Sequence, residues 1–142
     1  MRDYARAIEL SPDSSRIVLA YGHALYLGRR FQDTAAVYER FLATHPRDDQ
    51  VLEQLGTLYY APLRKFSQAR EVLARAVVVA PGRASVWRTY GSVLSELGDP
   101  QARAAFVHYL QLVDPKDPIE STLARGIRQR LSTGAPPAAI PH

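Results

Sequence analysis

Residues 87–98 read Trp87-Arg88-Thr89-Tyr90-Gly91-Ser92-Val93-Leu94-Ser95-Glu96-Leu97-Gly98. Trp87, Tyr90, Gly91 and Leu94 fall at i, i+3, i+4 and i+7, one stripe of a 3.6-residue period. The same stripe stands 35 residues earlier as Leu52, Leu55, Gly56 and Tyr59, and 34 before that as Val18, Tyr21, Gly22 and Leu25. Prolines keep the phase: Pro12, Pro46, Pro81 and Pro115 are 34, 35 and 34 residues apart. Several independent columns sharing one interval define an internal repeat, and a repeat has to be recognised before any other assignment.

Each stripe is followed by a turn and a second amphipathic segment: Phe31 to Thr44, Phe66 to Ala80, and Pro100 to Val113. The punctuating prolines end these second helices, because proline lacks the N–H and drives the preceding residue out of the α region. Asp99-Pro100 and Asp117-Pro118 read as N-cap aspartates with proline at the first helical position, and Glu120 completes a capping-box pattern with Asp117. Glycine in the first helix leaves room for the second to approach, and the small alanines of the second helix are expected to face it. The large apolar residues are then left to fill the space between hairpins. A single hairpin cannot bury its stripe, so the units must stack.

In these columns the chain resembles the tetratricopeptide repeat (TPR) family. The third unit carries Trp87, Tyr90-Gly91, Leu94, Gly98, Ala102, Phe106 and Pro115, and the second Leu52, Leu55-Gly56, Tyr59, Ala69, Leu73, Ala76 and Pro81. The first has Val18, Tyr21-Gly22, Leu25, Tyr38, Phe41 and Pro46, with Thr34 where alanine is usual. The resemblance implies an all-α, right-handed α-solenoid of helix-turn-helix TPR units with a C-terminal capping helix. Residues 1–131 then form a single TPR domain. It comprises the second helix of a partial unit (1–12), unit 1 (15–48), unit 2 (49–83), unit 3 (84–117) and the cap helix (118–131), with a disordered tail at 132–142.

Composition narrows the chemistry. The chain has 142 residues, 46% hydrophobic and 23% charged, typical of a folded domain. It contains no cysteine, which excludes disulfides, thiolate metal sites and a cysteine nucleophile. Eighteen Lys and Arg against 14 Asp and Glu give a net charge of +4 that is scattered along the chain, so nucleic acid is not expected as a partner. No apolar run reaches the ~20 residues that span a bilayer, and membrane insertion is not expected. Gly-rich phosphate loops, nucleophile elbows and metal-ligand spacings are all missing, and the reading is of a non-enzyme with no cofactor and no metal.

The resemblance places the binding surface in the concave groove, on first-helix positions opposite the packing stripe. Those are Arg16, Leu19, His23 and Tyr26 in unit 1, Gln50, Glu53, Thr57 and Tyr60 in unit 2, and Arg88 and Ser92 in unit 3. Tyrosine and arginine there suit a peptide or partner helix, since these residue types dominate binding energy. The carboxylate clamp of chaperone-tail adaptors in this family falls on Leu19, His23, Gln54, Ser85 and Thr89 here, which supply no lysine or arginine to neutralise a terminal carboxylate.

The expected function is a protein–protein interaction scaffold. The alternatives are a structural or assembly factor acting by oligomerisation, as in bacterial envelope, secretion or pilus assembly, and a regulatory TPR segment of a larger enzyme. Tyr4, Ala7, Ile8 and Leu10 lie on a second helix without its first, so a homodimer through this half unit is expected. The compartment expected of the chain as given is cytoplasmic, or periplasmic if it is an excerpt of a longer exported protein.

Overall fold

The computed structural model describes residues 2–11 and 13–133, and every regular element among them is an α-helix. Pro12 and the greater part of the expected tail, 134–142, lie outside the described residues. The chain divides into two compact units between Val79 and Ala80. The first holds α1 (Arg2–Leu10), α2 (Ser15–Leu27), α3 (Phe31–Thr44), α4 (Asp49–Tyr60) and α5 (Phe66–Val79). The second holds α6 (Ala84–Glu96), α7 (Ala102–Leu112) and α8 (Pro118–Ser132).

Helix starts follow the repeat as closely as the prolines do. Ser14, Asp48, Arg83 and Asp117 are the N-cap residues of α2, α4, α6 and α8, at intervals of 34, 35 and 34. Ser14 accepts from the Ile17 N–H at 3.3 Å and Asp48 from the Val51 N–H at 3.0 Å. Asp117 accepts from Ile119 and Glu120 at 3.0 and 3.1 Å. Each satisfies a donor that the first helical turn leaves without an intrahelical partner. Arg83 breaks the column and caps nothing with its side chain.

The hairpins close through the glycines, though not as expected. A Cβ added at Gly22 would stand 2.4 Å from the Tyr38 ring, one at Gly56 2.5 Å from Leu73, and one at Gly91 2.9 Å from the Phe106 ring. The glycine therefore seats a large side chain of the partner helix rather than an alanine. Ala69 and Ala102 are also buried, yet the ring or branched chain is what lies on the bare helix backbone. Thr34, in their column, is buried with its hydroxyl donating to the Arg30 carbonyl at 2.9 Å.

At two starts the side chains act differently from the sequence expectation. Asp99 does not cap α7: its Oδ1 accepts from the Gln101 N–H at 2.9 Å, an Asx turn, and the helix begins only at Ala102. Glu120 does not close a capping box. Its carboxylate instead receives the Arg88 guanidinium of α6 and the Tyr109 hydroxyl of α7. Two donors from neighbouring helices outcompete one local backbone N–H, since a charge-assisted pair away from bulk water is the stronger bond. Arg88 Nε is itself buried with no hydrogen-bond partner among the described residues, a cost that this ion pair offsets.

In the second unit α8 packs Ala124, Ile127 and Leu131 against Phe106 and Tyr109. Arg125, thirty-four residues after Gly91 and so in the glycine column, is exposed, as are Arg128 and Arg130. The face that α6 gives to α7 is thus solvated on α8, and the apolar face points back into the unit. In the first unit α1 packs against α2, Tyr4 meeting Tyr21 at 5.8 Å between ring centroids.

Gly91→Leu should cost about 1–3 kcal/mol through overpacking against Phe106. Thermal melts read the effect, and a variant melting with the parent would overturn the seat assignment.

Candidate functional site

α2 and α4 carry their outward residues at the same spacing, 16-19-23-26 and 50-53-57-60, so each set lines one side of its helix. Where the two sides meet in the first unit, His23, Tyr26, Gln54 and Thr57 line a cavity of about 290 Å³ with Thr34, Tyr38, Leu58 and Ala61. His23 and Gln54 are exposed, Thr57 is half-buried, and Tyr26 keeps 43% of its surface. The lining holds no Asp, Glu, Lys or Arg. It offers neutral donors and acceptors on an aromatic and aliphatic floor, a surface for one or two side chains of a peptide rather than for a charge.

Tyr38 shows how the fold makes this space. Its ring reaches over Gly22 to the cavity, and burial pushes its phenol up to about 12, so the hydroxyl stays protonated. Tyr38 has a packing column in the repeat, and its second role has no signature there. Thr34, in the alanine column, also lines it, as do Leu58 and Ala61, which the repeat pattern does not single out.

Arg16, Leu19, Gln50 and Glu53 stand on the same helix sides nearer their N-termini and do not line the cavity. Tyr60 is corrected. It is 7% exposed and packs against Phe66 of α5 at 5.9 Å between centroids. Arg88 and Ser92, in the second unit, are corrected too. Arg88 is held by Glu120 of α8, and Ser92 is fully buried, its hydroxyl donating to the Arg88 carbonyl at 3.0 Å. The ion pair engages Arg88, and burial removes Ser92 from the surface open to a partner.

Among the described residues no three His, Asp or Glu converge as metal ligands, and no helix is long and apolar enough to cross a membrane.

No protein-family model matches the chain, and no curated protein does at significant similarity. Solved structures do. The first TPR of Spaghetti (RPAP3), bound to the HSP90 peptide SRMEEVD, superposes with a TM-score of 0.68 at 17% identity, covering 82% of this chain and 91% of that one. The fold is that of the tetratricopeptide repeat. The type III secretion chaperone SycD of Yersinia enterocolitica, in complex with a peptide of the translocator YopD, matches at 0.74 and 16% identity, over 88% of this chain and 95% of that one. MamA matches at 0.75 and 16%, over 94% and 76%. Of the residues considered for a carboxylate clamp, Thr89 is buried, its hydroxyl donating to the Ser85 carbonyl at 3.1 Å.

Tyr109, like Tyr38, is pushed up from 10.0 to about 12, first by burial and then by the Glu120 carboxylate that accepts its hydrogen bond. Both folded values lie above the unfolded one, so their contribution is complete below pH 10 and is lost as the pH rises toward about 12. Melting temperature should fall across that window, and Tyr38→Phe with Tyr109→Phe should flatten the fall. An unchanged slope in the double variant would refute the assignment.

Proposed function

We propose that the chain is a non-catalytic interaction scaffold that holds a peptide or partner helix on the α2–α4 face of its first unit. The observation that carries this reading is the cavity in which His23, Tyr26, Gln54 and Thr57 converge from two helices. Its exposed tyrosine is of the type that anchors interfaces, and its neutral lining favours an uncharged anchor on the ligand. The peptide-bound structures of similar fold, RPAP3 and SycD, make a peptide the natural class of ligand. The cation-free clamp positions speak against recognition of a chain-terminal carboxylate.

The test is selection of twelve-residue peptides from a random display library on the immobilised chain, followed by calorimetric titration. Tyr26→Ala and Thr57→Arg should each weaken selected peptides by about tenfold or more, roughly 1.4 kcal/mol, with the far-UV helical signal kept. Undiminished affinity in both variants would place the site elsewhere.

A second reading, self-association through α1, rests on a separate observation. Tyr4 stands 34 residues before Tyr38, in the column that elsewhere sits on a glycine, yet it is 38% exposed against 4% for Tyr38. Leu10 is 74% exposed, and α1 and α3 flank a cavity of about 520 Å³ that Ala5, Ile8 and Val37 help to line. Covering ~300–400 Å² of apolar surface there returns several kcal/mol gross at ~25 cal/mol per Å², partly offset by association entropy. Sedimentation over a concentration series should show a dimer that Ile8→Asp dissolves. A chain that remains monomeric at high micromolar concentration excludes it.

A further inference from the structure

The turns that join α2 to α3 and α4 to α5 carry the same constellation. In the first, Tyr26 meets Phe31 edge-on at 5.2 Å between centroids, and the Arg29 guanidinium stands 5.9 Å from the Phe31 ring centre. In the second, Tyr60 meets Phe66 at 5.9 Å, and Arg64 stands 5.0 Å from the Phe66 ring centre. Both arginines adopt left-handed backbone, with φ of 60° and 52°. The corresponding residue of the α6–α7 turn is Gly98, with φ of 66°.

That third turn shows what the fold itself requires. Glycine enters the left-handed region without steric penalty, whereas a residue with a Cβ is strained there. Glycine alone satisfies the geometry at Gly98, and the turn goes on to Asp99. The first unit instead spends two strained positions on arginine and follows each with a second cation, Arg30 and Lys65. Residues 27–33 and 61–66 contain these four cations and one carboxylate, Asp33, which pairs with Arg30 at 2.8 Å. Tyr26 and Ala61 line one cavity, so the two turns lie side by side at one edge of the unit. Arg29 and Arg64 are exposed there.

We propose that this edge binds an acidic, extended segment of a partner protein. The guanidinium fork matches a carboxylate in bidentate geometry, and stacking on phenylalanine holds each fork ready. An extended chain places alternate side chains ~7 Å apart on one side, which presents successive carboxylates to neighbouring turns. Nucleic acid fits less well. Affinity for a phosphate backbone grows with the number of aligned cations, and Phe31 and Phe66 already carry an arginine where a base would stack. The proposal does not depend on occupation of the α2–α4 cavity.

The test uses the full chain and three fluorescein-labelled probes: deca-glutamate, deca-glutamine and a ten-nucleotide oligothymidylate, followed by anisotropy. Deca-glutamate should bind at ~50 mM salt at least about tenfold tighter than the other two, and lose about tenfold or more at ~300 mM as screening rises. Arg29→Gly with Arg64→Gly should cost about tenfold or more in deca-glutamate affinity while melting no lower than the parent, because glycine suits the backbone. Arg29→Gln with Arg64→Gln, which keeps the side-chain length and removes the charge, should show the same loss. The proposal is overturned by an absence of deca-glutamate binding, by oligothymidylate binding equally well, or by undiminished affinity in both double variants. Gly variants that melt below the parent would overturn it too, by showing that the arginines serve the fold.

Discussion

Tyr38 lies on Gly22, Leu73 on Gly56 and Phe106 on Gly91, and the rest of each unit is arranged around these contacts. A side chain resting on bare helix backbone brings two helices to one defined separation and one register. Once that register is set, the remaining apolar positions have a single way to meet. In the first unit it directs Leu52, Leu55 and Tyr59 inward, and in the second it brings Phe106 and Tyr109 to where α8 can cover them. The same contact shapes the surface. Tyr38 can reach the cavity beside His23 and Thr57 only because Gly22 has no Cβ to block it.

Repetition lets the chain serve as its own reference. Where every hairpin obeys a column, the residue serves the fold, as Gly22, Gly56 and Gly91 do. Departures single out positions under a different demand. Arg125 in the glycine column marks a face of α8 turned to solvent, and Arg29 and Arg64 occupy a backbone conformation that Gly98 adopts at ease. Each departure is visible in the sequence as an interval, but its sense comes from the burial or the dihedral angle.

The hairpins were legible because their signals are local: a 3.6-residue stripe, a cap and a proline each act within one or two turns of helix. Phe31–Thr44 reads the same from the sequence and in the structure. The candidate site was legible only in part. His23, Tyr26 and Thr57 could be placed on outward faces by counting, but Tyr60 and Ser92 occupy the same count and are buried. Counting gives the direction of a side chain from its own helix and says nothing of what another helix brings over it.

The sequence by itself determined the repeat, the helix pairing and the chain's lack of cysteine chemistry, since periodicity and composition are properties of the chain alone. Tertiary structure decided which outward residues remain open. Glu120 belongs by spacing to the cap of its own helix, yet it lies within reach of Arg88 and Tyr109, and a carboxylate held by two donors will not turn back to a single backbone N–H. That choice rests on distances between residues 11 and 32 positions apart in the chain, which no local pattern encodes.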